Sequence, residues 1–298
     1  MTRPDIKQQE KEVYDSIAEV FDAVWARYTA RFAADLIDLM APQSGETTLD
    51  LAGGTGAAGL KLAERLGPKG KVTIIDLSPR MLQQAELNAV TRLLNNVTTR
   101  VMDGENLDFP DKSFDLIICS FGIMFFPDVP RALAEARRVL KPGGRIGFTV
   151  WSVPERVPFI SYPSQATIVR VAPAPLRLLL QVPVIGRRLL GKIMTSTGSL
   201  GYSGMRFSRH GSLEKILSEA GFQSLRRELR AFPLQFDNFD QYWKALTQGT
   251  PAKERYSKLS TDILAEVREE VRAKLADPTT GKIDVFNEAG LVLGKKPN

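Results

Sequence analysis

The chain has 298 residues, 43% hydrophobic and 25% charged, which is enough apolar content for an ordinary globular core and excludes a disordered or fibrous chain. Basic residues exceed acids by six, and the excess has an address: residues 152–210 hold Arg156, Arg170, Arg177, Arg187, Arg188, Lys192, Arg206 and Arg209 against Glu155. That charge coincides with an apolar, proline-rich stretch and not with a basic face interleaved with aromatics, which argues against nucleic acid as a partner.

In chain order, apolar positions three and four apart from Pro4 to about Met40 (Val13, Ile17, Val20, Phe21, Val24; Phe32, Leu36, Leu39) predict two helices. "TTLDLA" reads as strand one, "AGLKLAERLG" as a helix and "KVTIIDL" as strand two. Ser78-Pro79 supplies a cap and first-turn proline for the helix "RMLQQAELNAVTRLL". "NVTTRVMDG" and "FDLIICSFG" are strands three and four, "PRALAEARRVL" is a helix stopped by a "KPGG" turn, and "RIGFTVW" is strand five. Strands alternate with helices at crossover spacing, so the sheet should be largely parallel and covered on both faces.

The rhythm breaks at Trp151. Residues 152–210 carry six prolines and the run "LRLLLQVPVIGRRLLGKIM", an insertion that is neither clean strand nor uninterrupted helix. The α/β pattern resumes with "SLEKILSEAGF" and the strand-like "SLRRELRAFPLQF". Helical spacing from Tyr256 to Val271 interrupts it before a last strand, "IDVFNEAGLVLGKKP". The polar start "MTRPDIKQQEKEVYD" and the lack of a long uncharged apolar run predict a cytoplasmic protein. The single cysteine, Cys119, lies inside the apolar "FDLIICSF" and reads as a buried core thiol.

The chemistry concentrates in "TTLDLAGGTGAAGL", Thr47 to Leu60, which contains Gly54-x-Gly56-x-x-Gly59, the dinucleotide-binding spacing. A pyrophosphate on that loop would face Asp50, whose carboxylate repels a diphosphate and attracts an ammonium or sulfonium. S-adenosylmethionine carries both cations and no phosphate. Asp76, at the end of strand two, can accept ribose hydroxyls of either cofactor.

"LDLAGGTG", "IIDLSPRML", "VMDGENLDFPDKSFDLIICSFGIMFFPD" and "RVLKPGGRI", in this order, resemble the class I S-adenosylmethionine-dependent methyltransferases. They are most like the ubiquinone/menaquinone-biosynthesis C-methyltransferase family. The resemblance runs from about Val13 to Trp151. It implies a Rossmann-like α/β fold: a mostly parallel seven-stranded sheet of order 3-2-1-4-5-7-6, strand seven antiparallel, with helices on both faces and a lid insertion after strand five. Residues 1–45 would be helices over the cofactor, 46–151 the binding core, 152–210 the lid and 211–298 the completion of the sheet. It implies that Asp50 and Gly54 line the methionine end, with Ala52, Gly53 and Gly56 in the same loop. Asp76 would hold the ribose, Leu77 and Met81 would belong to the same cofactor-binding set, and Asp103 and Gly104 would hold the adenine edge. Ser120 and Phe121 would face the reactive methyl, and Tyr14 would close over the cofactor. Ala57 stands where the family usually has an acid.

Methyl transfer needs no metal and no covalent enzyme intermediate, and the sequence has no ligand cluster at metal spacing. His210, in "RFSRHGSLEK", and Tyr14 are the catalytic candidates. The acceptor should be small and hydrophobic, a quinol or phenol, isoprenoid or polyketide-like molecule, methylated at carbon or oxygen. The basic apolar insertion suits a lid or a peripheral membrane contact. The competing readings are an N-methyltransferase, an NAD-binding oxidoreductase and a module that binds S-adenosylmethionine without turnover.

Overall fold

The computed structural model describes residues 3–180, 186, 189–190, 192–194 and 203–298. Residues 3–40 form one helical run: α1 (Arg3–Val20), a π-helical segment (Phe21–Ala26) and α2 (Arg27–Met40). The sequence spacing predicts two helices, and the structure joins them by a widened turn. No glycine or proline lies between Asp5 and Ala41, so nothing breaks the run before Ala41 turns left-handed at φ 47°.

The core sheet comprises β1 (Thr47–Leu51), β2 (Lys71–Asp76), β3 (Val97–Val101), β4 (Phe114–Ser120), β5 (Leu140–Trp151), β6 (Gln223–Phe236) and β7 (Ile283–Lys295). Their order is β3-β2-β1-β4-β5-β7-β6. β7 runs antiparallel to both neighbours, and the other pairs are parallel. This is the topology that the family resemblance implies. Leu49, Leu51, Ile74, Ile75, Leu116, Ile117 and Ile118 are fully buried, the near-continuous apolar content of strands covered on both faces. α2 lies so close to β5 that a Cβ on Gly147 would collide with the Met40 sulfur.

Between these strands run α3 (Gly59–Leu66), α4 (Pro79–Thr91) and α5 (Val129–Val139). α4 begins as expected: Ser78 is extended, its Oγ accepts the Met81 amide at 3.1 Å, and Pro79 opens the helix. The "KPGG" stretch differs from expectation. It does not separate α5 from β5 but lies within β5, where Gly143 takes φ 72° and the β4–β5 register shifts between Phe114 and Leu116.

In the insertion, α6 (Pro158–Val171) packs on a later helix and on β7, and α7 (Ala174–Leu180) follows. α6 tolerates Pro163 because the Phe159 carbonyl, which a proline nitrogen cannot serve, accepts the Tyr242 hydroxyl at 2.9 Å. After α8 (Ser212–Glu219) and β6 come α9 (Phe239–Gly249), α10 (Lys253–Ser257) and α11 (Thr261–Leu275), the helix on which α6 rests. The spacing from Tyr256 to Val271 reads as one helix. The structure has more because Asn238 and Ser260 each cap a new start, accepting the Gln241 and Ile263 amides at 3.0 and 3.4 Å. No described helix is long and apolar enough to cross a membrane.

Candidate active site

A cavity of about 130 Å³ opens at the carboxyl ends of β1, β2 and β4, beneath α1. Tyr14, Asp50, Ala52, Gly53, Gly54, Asp76, Leu77, Met81, Asp103, Gly104, Ser120 and Phe121 all line it. Gly56 is not in its wall. It sits behind the loop at φ 86°, where a Cβ would press on Leu60. His210 is exposed and is not among the lining residues.

Asp50 is wholly buried. Its Oδ2 accepts the Gly59 amide at 2.7 Å, while Oδ1 has no hydrogen-bond partner. Burial raises its pKa to about 7 against the pull of the Gly59 amide, with the Asp76 charge adding to the rise. Asp76 Oδ2 accepts the Gly54 amide and Oδ1 the Ser78 amide, both at 2.9 Å. Its pKa is also raised by burial, opposed by these amides. Two N–H groups of the glycine turn are therefore already held by carboxylates. A pyrophosphate would need those donors, so the dinucleotide reading of the glycine spacing gives way.

The same observations fit S-adenosylmethionine. A cation at Asp50 Oδ1 would satisfy a buried acceptor that otherwise has none. Gly54, at φ 55°, would aim a Cβ into open space, so its backbone can be approached closely by a ligand. Gly53 is needed for packing instead, since its Cβ would lie 2.6 Å from Asp50 Oδ2. Asp103 Oδ1 accepts the Glu105 amide at 2.9 Å, and Oδ2 receives Lys7 Nζ at 2.7 Å.

α1 closes the cavity. Lys7, Glu10, Lys11 and Tyr14 fall at helical spacing and all line it. Asp15 fastens the helix to α4, accepting the Ser78 hydroxyl at 2.6 Å and the Arg80 amide at 3.2 Å. Tyr14 meets Phe21 and Phe125 edge-on at 6.2 and 5.9 Å, and burial raises its hydroxyl pKa well above 10.0, with Glu10 and Asp76 adding to the rise. Ala52 and Phe121 both hold left-handed backbone, at φ 56° and 58°. For a residue as bulky as phenylalanine that is strain, and it lies in the cavity wall.

Sequence reasoning misses Lys7, Glu10, Lys11 and Phe125. The available signal is the polar stripe at positions 7, 10, 11 and 14, a pattern usually read as a solvated helix face. The described part of the insertion does not line the cavity, although its return reaches the rim. The turn Ser203–Met205 packs against Ile123–Phe125, and Arg206 donates to the Phe126 carbonyl at 2.8 Å. Arg170 is spent on Glu266 and Glu270 at 2.9 and 2.6 Å. Arg187 and Arg188 lie outside the described residues. Among the described residues no group of His, Cys, Asp and Glu is placed to hold a metal ion.

The curated relatives include aklanonic acid methyltransferase DauC from Streptomyces sp. strain C5, 36% identical over 48% of this chain and 65% of that protein. Nocamycin O-methyltransferase from Saccharothrix syringae is 38% identical over 46% and 49%. The ubiquinone/menaquinone biosynthesis C-methyltransferase UbiE of Hahella chejuensis is 34% identical over 48% and 59%. The chain thus spans between half and two thirds of each of these relatives. Two solved structures share the fold at low identity. The [4+2]-cyclase SpnF has TM-score 0.61 and 18% identity over 98% of this chain and 97% of that one. Haemonchus contortus phosphoethanolamine N-methyltransferase 2, solved with S-adenosylhomocysteine, has TM-score 0.51 and 17% identity over 90% and 53%. The cofactor to which both the family and the site chemistry point is S-adenosylmethionine. With the ubiE/COQ5 methyltransferase family model matching residues 4–232, most of its length, the chain belongs to that family.

Proposed function

We propose that this chain transfers a methyl group from S-adenosylmethionine to a small apolar acceptor, at carbon or oxygen, by direct in-line displacement. The observation that carries the reading is the single cavity wall that joins a buried, half-satisfied carboxylate, Asp50, to the aromatic groups Tyr14, Phe21, Phe121 and Phe125. Bound there, the cofactor supplies an electrophilic methyl on a cationic sulfur. Asp50 and the Gly54 backbone would hold the amino-acid end, Asp76 the ribose and Asp103 the adenine. The aromatic side chains would exclude water and leave an apolar approach for the acceptor, so that positioning provides most of the rate. The relatives support the acceptor class, since one is named for an acid, one for O-methylation and one for quinone biosynthesis. His210, exposed and outside the cavity wall, would act only if the acceptor extends to it.

The insertion supports a second element of the reading, a lid with membrane contact. Its return segment abuts the rim, and α7 presents Leu178 and Leu179 to solvent at 70% and 48% exposure beside Arg177. Calorimetry with S-adenosylmethionine, followed by mass spectrometry of products from phenolic, quinol and isoprenoid acceptors, tests the function. Cofactor binding with a mass gain of one methyl on an apolar acceptor is expected. Failure to bind the cofactor would overturn it.

A further inference from the structure

We propose that Glu10 accepts the proton released by the methyl acceptor, an inference that rests on the methyltransferase reading above. Glu10 lies on α1 one turn before Tyr14, and both side chains line the cavity. Its neighbours on that inner stripe are committed elsewhere: Lys7 bridges Asp103 and Glu105, and Lys11 pairs with Asp15 at 3.2 Å. Glu10 has no ion pair or hydrogen bond to a described residue, and neither has the Tyr14 hydroxyl. Two polar groups one turn apart on the cavity wall are thus left for a ligand.

Among the described residues no ion pair joins Glu10 to a cation, and the charge that acts on it is that of Glu254. On α4, the Arg80 guanidinium is turned to Glu19. On α10, Lys253 is turned to Ser16, and Glu254, a second carboxylate, faces Glu10. Across the cavity Asp76 acts on Tyr14. Burial and the Glu254 charge push the Glu10 carboxyl up to about 7, a value suited to taking a proton near neutral pH. α1 packs on α9 and meets α10 through Gln9, whose amide donates to Glu254 at 3.1 Å, and Glu254 acts on Glu10.

The step balances simply. The acceptor atom bonds to the methyl carbon, and the electron pair of the broken carbon–sulfur bond stays on sulfur, giving a neutral thioether. The acceptor loses its O–H or ring C–H proton, the pair of that bond remaining on the acceptor, and a Glu10 carboxylate oxygen takes the proton. A base is needed for either acceptor atom, so the proposal holds for carbon and oxygen alike.

The test uses the full chain, 1,4-naphthohydroquinone as acceptor probe and single-turnover rates between about pH 5.5 and 9, in the range where bases of this kind titrate. Calorimetry with S-adenosylmethionine is run on each protein. Wild type should speed up with pH and level off above about 7. Glu10→Gln should bind the cofactor within about threefold of wild type yet transfer about 10²-fold more slowly, with the pH rise gone. Glu254→Gln, which leaves Glu10 in place, should keep the plateau and move the midpoint to lower pH. The Glu10 carboxyl carbon should move in the same direction in NMR titration of cofactor-free, ¹³C-glutamate-labelled protein. Equal rates for Glu10→Gln and wild type, or an unmoved midpoint in Glu254→Gln, would overturn the proposal. Cofactor binding without methylation of the probe by wild type would remove the proton-bearing apolar acceptor and Glu10's role with it. Absence of cofactor binding would instead sink the methyltransferase reading itself.

Discussion

With a pKa of about 7 in the folded chain and an ordinary value of 3.8, Asp50 takes up a proton on folding across that window. Its contribution therefore makes the cofactor-free protein less stable as pH rises from about 4 to about 7, after which the loss is complete. A cation bound at Oδ1 favours the ionised carboxylate and has the opposite dependence. Affinity for S-adenosylmethionine should rise with pH through about 7, and calorimetry across that range checks it. Asp50→Asn keeps an acceptor for the Gly59 amide and removes the buried charge. Cofactor binding should weaken by about 1.5–3 kcal/mol, while the Tm of the free protein at alkaline pH holds or rises. A fall in both would mean that Asp50 serves the loop and not a ligand. At this scale the sequence was readable for which acids come together, since Asp50, Asp76 and Asp103 all line one cavity. It was silent on the backbone strain at Ala52 and Phe121, because left-handed backbone in a residue other than glycine leaves no signature in its identity.

Helix α4 shows a capping side chain with two tasks. Ser78 Oγ accepts the Met81 amide and donates to Asp15 on α1, so one hydroxyl starts one helix and holds another against it. Ser78→Ala should cost about 1 kcal/mol in chemical denaturation, the usual worth of an N-cap. It should also weaken cofactor binding by loosening α1, whereas a stability loss with unchanged affinity would show that α1 is held without this contact. The boundaries of α3, α4, α5 and the first strands follow from caps, prolines and period. α9 and the split before α11 escaped because their starts rest on Asn238 and Ser260 in a stretch whose apolar spacing continues across the break. The inner stripe of α1 was hidden for a related reason. Lys7, Glu10 and Lys11 look like a wet face, and only tertiary contact with the carboxyl ends of the strands makes them a wall.

Over the whole molecule, the sheet gathers the binding loops at one rim, and the insertion leaves from the end of β5 at that same rim and returns beside Ile123–Phe125. Removing residues 170–194 should spare cofactor binding, since none of the described residues in that span lines the cavity. Transfer to an apolar acceptor should be lost if the span closes the acceptor side, and a truncated chain that methylates at the full rate would end the lid proposal. Sheet order was legible because the ordered motifs resemble a family whose topology they bring with them, and the structure has that order. The insertion was not, since its mixture of leucine, arginine and proline satisfies neither period.

The π-helical segment Phe21–Ala26 acts as a phase setting between two rigid rods. Each residue added to or taken from an α-helix turns everything beyond it by roughly 100°. The stripe of Lys7, Glu10, Lys11 and Tyr14 therefore faces the cavity only because that segment has its present number of residues. Deleting Ala23 would leave α2 docked on β5 and rotate α1 so that Ile6, Gln9, Glu10 and Val13 take the places of Lys7, Glu10, Lys11 and Tyr14 above the loops. Such a chain should melt within a few degrees of wild type, with the Tm increase induced by S-adenosylmethionine reduced or gone. Equal cofactor-induced shifts in the two proteins would mean that α1 re-registers freely and that its rotation carries no information.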